Sequence, residues 1–432
     1  VKDPVVLEHT LRRLTQRVAE NVELELTAML DPDKLSEADR RRLKKRSGWF
    51  PPRLDEKERA LAEEWLRSVQ SNKIELTDRI RSGASVVLAT CSISSTITET
   101  VRDPSDMFDW VILEEAAKAW PTEVIIPLVL GTRWTLIGDH RQLGAYRERE
   151  VSQFLESLSD HADDDVRRHF EDRKSRLRAL KLFASLFEEG SPDANSSPAR
   201  RRVSPLGRLE LQFRMHPIIA QPVGRAFYRL QPEQRDEDGL PVSFLRTHGA
   251  TAEIDHGVSR PYFLKNSPLV WLDTAGMEQC REEPFWYNLG EVELIEKLVQ
   301  QMDPPPLPPG VPAEEDGGLV ILTPYLAQKK RLESRGLLAR RVHTVHSYQG
   351  READRVIVSL VRSTRLGNTV ASNVGHVGQD EVINVLLSRA RRLLVLVGNI
   401  EHLATCGGES WDIVIRTIKR YGRIEPARIL EE

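Results

Sequence analysis

Apolar residues recur at Leu7, Leu11, Leu14, Val18, Val22, Leu26 and Met29, steps of three and four that predict an amphipathic helix opening the chain. After the break at Asp31-Pro32-Asp33, a charged stretch carrying Arg40, Arg41, Arg42, Lys44, Lys45 and Arg46 reads as a second helix, closed by Gly48 and Pro51-Pro52. Such a basic run can touch phosphates or form a solvated face. Asp55 is placed to cap a third helix, with Leu61, Trp65 and Val69 along one side. Residues 1–80 therefore read as helical hairpins.

The periodicity then changes. Val86, Val87 and Leu88 lead to Thr90, Trp110 to Leu113 lead to Glu114-Glu115, and Trp134 to Ile137 lead to Gly138-Asp139. Short apolar runs that end in polar residues predict buried parallel strands, with helices between them. From about 150 to 200 the chain is charged and helical, ending in a loop-like linker at Ser191 to Ser197. Strand-like runs resume at Leu269 to Leu272, Leu319 to Leu322, Val356 to Leu360 and Leu393 to Val397, and Pro304 to Pro312 reads as a surface loop. The fold class is α/β, in which ligands sit at the carboxyl ends of the strands.

With 432 residues, two domains are expected. The 62 basic and 65 acidic side chains leave a formal net charge of -3, so a polyanion must be held by a local groove rather than by global attraction. Cys91, Cys280 and Cys406 are far apart and in no paired spacing, which excludes a disulfide framework and a zinc site and points to the cytosol. No apolar run approaches the roughly 18 to 20 residues of a membrane-spanning helix, so no membrane partner is expected.

Candidate chemistry gathers at the strand ends. Glu114 and Glu115 stand where a magnesium ion and an attacking water could meet a terminal phosphate. In Gly138-Asp139-His140-Arg141-Gln142, the Gln142 amide can sense a phosphate while Asp139 orients the loop. The run Leu211-Gln212-Phe213-Arg214-Met215-His216-Pro217 closely resembles a helicase signature. It is followed in order by Thr323-Pro324-Tyr325, by Thr344-Val345-His346-Ser347-Tyr348-Gln349-Gly350-Arg351-Glu352, and by Asn384-Val385-Leu386-Leu387-Ser388-Arg389. The series resembles the senataxin and nonsense-mediated-decay branch of the superfamily 1B helicases.

That resemblance implies two RecA-like parallel-sheet domains, the first (81–200) incomplete and the second at 201–432, preceded by the helical segment and holding ATP and Mg2+ in their cleft. It implies that Glu115 polarises the attacking water, Glu114 holds the magnesium, and Gln142 reports the terminal phosphate. Arg214 and Arg389 act as arginine fingers, while Phe213, Gly350 and Glu352 attend the nucleotide. Thr90, Thr323, Tyr325, Thr344 and His346 match positions that line a single-stranded RNA or DNA track, although Thr344 and His346 also suit buried structural bonding. The implied activity is ATP-driven helicase or translocase movement, 5′ to 3′.

Two departures qualify this. A motor of this class needs a phosphate loop ending in Gly-Lys-Thr or Gly-Lys-Ser, and the sequence contains no Gly-Lys dipeptide. The expectation is a fragment whose missing region, or a protein partner, supplies that loop. The alternative is a catalytically degenerate module that binds nucleic acid or a partner. The second departure is Glu114, where the family prefers Asp; the added methylene displaces the carboxylate by about 1.5 Å.

Overall fold

The computed structural model describes residues 24–28, 30–47, 55–71, 84–98, 107–159, 162–171, 180–190, 206–252, 255–304, 313 and 318–431. These fall into two compact units: the residues up to Asp109 together with Ile126–Thr132, and Trp110–Ile125 together with Arg133–Glu432.

Most of the described residues of the first unit are helical. Backbone at 24–28 is helical as the apolar periodicity predicts, and the earlier part of that run lies outside the described residues. Helix α1 (Glu37–Ser47) carries the basic run; Arg41 pairs with Glu37 at 3.2 Å and Arg40 with Asp33 at 3.7 Å, all four side chains in solvent. Helix α2 (Glu56–Ser71) begins as expected: the Asp55 carboxylate accepts from the Lys57 and Glu58 amides, and Glu58 accepts from the Asp55 amide, a reciprocal capping box. Helix α3 (Cys91–Thr98) follows Thr90.

The strand expected at Val86 to Leu88 is not formed. That segment is irregular, with Val86 and Leu88 exposed. An apolar run becomes a buried parallel strand only with neighbours to pair and a layer to cover it, and among the described residues this one pairs with none.

In the second unit, β1 (Val111–Leu113) and β2 (Trp134–Leu136) pair in parallel, Leu113 opposite Leu136. The charged stretch after them forms helices at Glu148–Ser159, Asp164–His169 and Leu182–Gly190. The linker at Ser191 to Ser197 lies outside the described residues, as does most of the Pro304 to Pro312 loop. A second parallel pair joins β3 (Leu211–Gln212) to β4 (Arg246–Thr247).

The main sheet contains β5 (Leu269–Asp273), β6 (Leu319–Thr323), β7 (Val342–Thr344), β8 (Ala353–Ser359), β9 (Ala390–Gly398) and β10 (Arg423–Pro426). It is wholly parallel, in the order β10-β5-β9-β8-β6-β7. Alternation along the strands assigns their side chains to two cores. Leu269, Trp271, Val320, Leu322, Val356, Val358, Leu394 and Leu396 pack with α4 (Pro217–Phe227) and α5 (Gly408–Tyr421). Val270, Leu272, Leu319, Ile321, Ile357, Val395 and Val397 pack with α6 (Leu289–Met302). Burial on both faces is why these strands read as continuous apolar runs.

Thr344, at the carboxyl end of β7, caps the short helix α7 (Val345–Tyr348), which leads to Glu352 and the start of β8. Val345 and Tyr348 are fully buried. The segment Thr344–Glu352 therefore crosses from the carboxyl end of the sheet to its amino end.

Candidate functional site

Glu115, next after Glu114 at the end of β1, takes a left-handed conformation (φ 56°). This turns the chain into a short 3-10 segment while the Ala116 amide donates to the Ile137 carbonyl across to β2, at 2.8 Å. Both carboxylates are exposed, and among the described residues neither makes a hydrogen bond or ion pair. Gly350 also has positive φ (80°), which favours glycine. A Cβ there would stand 3.9 Å from a Glu115 carboxylate oxygen, so the two share one space.

The loop after β2 is held by Asp139. Its carboxylate accepts from the Arg141 amide and from the Gln142 side-chain amide, both at 2.9 Å. It also accepts from the Tyr228 hydroxyl. Tyr228 in turn accepts from the Asn384 side-chain amide at 2.9 Å, and that amide also donates to the Arg141 carbonyl at 2.8 Å. Burial and the adjacent carboxylate push the Tyr228 hydroxyl pKa upward, keeping it a donor.

Gln142 faces Arg389: its carbonyl oxygen accepts from the guanidinium at 3.1 Å. Arg389, at the amino end of β9, is 1% exposed. Its remaining bonds go to the Val385 carbonyl, the Arg351 carbonyl and the Ser388 hydroxyl. Among the described residues none of its bonds is to a carboxylate. Burial, then the nearby Arg214, pushes its pKa from 12.5 down to about 10, against the pull of Glu115 and Glu352.

Arg214 leaves a turn built by Gln212, whose side-chain oxygen accepts from the Arg214 and Met215 amides. Its guanidinium donates to Glu352 at 2.5 Å and to the Ser388 carbonyl at 3.3 Å. Glu352 also lies 3.7 Å from Arg391. Phe213 is 64% exposed and stacks on His248 at 4.7 Å. Glu115, Gln142, Arg214, Gly350, Glu352 and Arg389 thus gather within the second unit, the last three at the amino ends of β8 and β9.

The residues expected on the nucleic-acid track separate. Thr90 lies in the first unit, its hydroxyl accepting from the Ile93 amide at 3.3 Å. Thr323 and Thr344 stand opposite each other at the carboxyl ends of β6 and β7. Thr323 is fully buried and accepts from the Tyr325 amide, and Tyr325 is buried with its hydroxyl on the Val374 carbonyl. Thr344, His346 and Tyr325 line a cavity of about 640 Å³.

Sequence reasoning gave no role to Tyr228, Asn384, Ser388, Phe285 or Trp286. Asn384 and Ser388 were within reach, being part of the quoted motif, and the run Pro284-Phe285-Trp286-Tyr287 is visible as an aromatic cluster. Nothing in the local sequence of Tyr228 announces that its hydroxyl meets Asp139.

Two AAA domain family models match the chain, one over residues 182–401, just over half of it, and one over residues 7–146. The "Uncharacterized ATP-dependent helicase MJ0104" of Methanocaldococcus jannaschii is 24% identical over 77% of this chain and 42% of its own length. The "Regulator of nonsense transcripts 1 homolog" of Arabidopsis thaliana is 27% identical over 74% of the chain and 22% of itself. The "DNA-binding protein SMUBP-2" of Rattus norvegicus is 28% identical over 73% and 27%. The chain thus spans less than half the length of these relatives. An arterivirus helicase crystal structure aligns with 68% of the chain and 40% of its own at 14% identity and a TM-score of 0.28. With the family match covering half of its length and the motif series in order, the chain belongs to the AAA domain family, in the senataxin and nonsense-mediated-decay branch of superfamily 1B.

Proposed function

We propose that the intact protein is an ATP-dependent helicase or translocase on single-stranded RNA or DNA, hydrolysing ATP between two RecA-like domains (81–200 and 201–432). The observation that carries this reading is Arg389: a buried guanidinium bonded to Gln142 and to carbonyls, with no carboxylate ion pair among the described residues. A buried cation is costly unless an anion meets it, and a terminal phosphate beside Gln142 is such an anion. The similarity to the ATP-dependent helicase MJ0104 supports the same activity.

On this reading Glu115 takes the proton of the attacking water, and its exposed carboxylate suits a base that must face solvent and phosphate at once. Arg389, and Arg214 when it leaves Glu352, stabilise charge building on the transferred phosphoryl. Gln142 orients against the phosphate because Asp139 holds its amide. Phe213 packs beside the nucleotide, and Glu352 receives the ribose or Arg214. Glu114, exposed just after the end of β1, would hold Mg2+ together with phosphate oxygens and water. Bound, it would neutralise phosphate charge. Thr90, Thr323, Tyr325, Thr344 and His346 position the strand, directly or from beneath. The three free cysteines suit the cytosol, and among the described residues no helix is long and apolar enough to cross a membrane.

The absence of Gly-Lys from the sequence favours a second reading for this chain taken alone, a binding module without turnover, with the loop supplied by another region or a partner. The test is nucleic-acid-stimulated ATP hydrolysis by the intact protein and its Glu115→Gln variant. Stimulated turnover that Glu115→Gln abolishes supports the motor; strand binding without hydrolysis by the intact protein leaves the binding module.

A further inference from the structure

The cavity at the carboxyl ends of β6 and β7 is bordered by a hairpin that the helicase motifs do not include. The Glu283 amide donates to the Tyr287 carbonyl at 2.8 Å, and the Trp286 amide to the Glu283 carbonyl at 3.2 Å, closing a tight turn. Phe285 (φ 71°) and Trp286 (φ 65°) are consecutive left-handed residues. Such positions favour Asn or Gly, and holding two bulky aromatics in them costs conformational free energy.

The base of the hairpin is fixed. Asn288 is fully buried, its side-chain amide donating to the Cys280 and Val361 carbonyls and its backbone amide to Gln328. The Arg331 guanidinium lies 4.7 Å over the Tyr287 ring. The tip, by contrast, presents its rings to solvent: Phe285 is 84% and Trp286 50% exposed. The Trp286 ring is 6.0 Å from Tyr325, whose ring is 6.0 Å from His376, so a row of aromatic groups lines the wall of the cavity. The charged groups acting on His346 and His376 are basic, Lys118 on the first and Arg149 and Arg362 on the second. Of the two acidic residues at the hairpin root, Glu282 is bonded to Arg362 at 3.0 Å, and Glu283 is exposed.

Exposed rings held out by a strained turn, beside a cavity whose histidines feel Lys118 and Arg149, match a ligand that offers flat apolar faces on an anionic backbone. We propose that Phe285 and Trp286 form a base-stacking platform for single-stranded nucleic acid at the rim of this cavity, an inference that rests on the helicase reading above. Stacking on an aromatic ring accepts any base, so the platform grips the strand without reading its sequence.

The test is fluorescence anisotropy with the full chain, using oligothymidylate and an abasic oligonucleotide of the same length and charge. Alanine at both positions should weaken oligothymidylate binding by roughly 5- to 150-fold, the range expected for loss of base stacking, and leave abasic binding unchanged. Trp286→Phe should restore most of the loss, and 2-aminopurine in the strand should be quenched by the parent but not by the double alanine variant. Thermal melting within a degree or two of the parent confirms that the exposed tip does not hold the fold. Oligothymidylate binding unaffected by the alanines, or equal weakening on both oligonucleotides, overturns the platform while sparing the helicase reading. A parent chain that binds no single strand at all overturns the track itself.

Discussion

Replacing Arg389 by methionine tests whether this side chain is a catalytic cation or a structural one. The structure sets two opposed contributions to stability. Lowering the guanidinium pKa from 12.5 to about 10 means that the fold disfavours the charged form, and at about 1.4 kcal/mol per unit the substitution would relieve about 3–4 kcal/mol. Against that stand the bonds to Val385, Arg351, Gln142 and Ser388, each worth about 1 kcal/mol net. Methionine fills much of the same volume without a polar atom, so no large cavity adds to the loss. The two contributions nearly cancel, and chemical denaturation at pH 7.5 should give a change of within about 1–2 kcal/mol. Nucleic-acid-stimulated ATPase of the intact protein should nevertheless fall by about 10³-fold or more, the usual cost of an arginine finger. Sulfate or phosphate should stabilise the parent and not the variant, since the anion fills the place of the missing counter-charge. A variant that keeps near-normal turnover but loses more than about 3 kcal/mol would refute the reasoning and make Arg389 a structural residue.

Further outcomes follow from other groups. Glu291 is fully buried, accepts from Ser359 and Val361, and burial raises its pKa from 4.5 to about 8. With the folded value above the unfolded one, its contribution is fully present below about pH 4.5 and is lost as pH rises through about 8, so Glu291→Gln should flatten the fall in denaturation midpoint across that window. Tyr228→Phe removes the hydroxyl between Asp139 and Asn384; about 1–2 kcal/mol of stability should go, measured by melting, and ATPase should drop more than binding because Gln142 loses its fixed support. This chain without any added region should hydrolyse ATP more slowly than about 1 per second, for lack of the amide cradle and lysine of a phosphate loop; faster turnover by purified chain contradicts that.

The second unit was largely legible in sequence because its central strands are buried on both faces and so register as uninterrupted apolar runs, as at Val356 to Leu360. The two edge strands were not: Val342–Thr344 is short and β10 carries Arg423, Glu425 and Pro426, polar positions that an edge tolerates. Val86 to Leu88 misled for the opposite reason, since apolarity alone does not supply a strand with neighbours. The arginine pair and Gln142 were recoverable because their motifs fix side-chain chemistry within a few residues. Tyr228 and Asn384 meet the Asp139 loop over long stretches of chain, a relation that only the fold creates.

The crossing at Thr344–Glu352 joins the two ends of the sheet through one turn of helix whose Val345 and Tyr348 are locked in the core. Packed interiors deform little, so a displacement imposed at Gly350 and Glu352 cannot be absorbed along so short a path and must be felt at Thr344. If nucleotide meets one end and strand the other, the two ligands share a stiff strut, and thermodynamic reciprocity then applies. Whatever factor a bound nucleotide imposes on strand affinity, a bound strand must impose on nucleotide affinity, and softening Tyr348 would diminish both together.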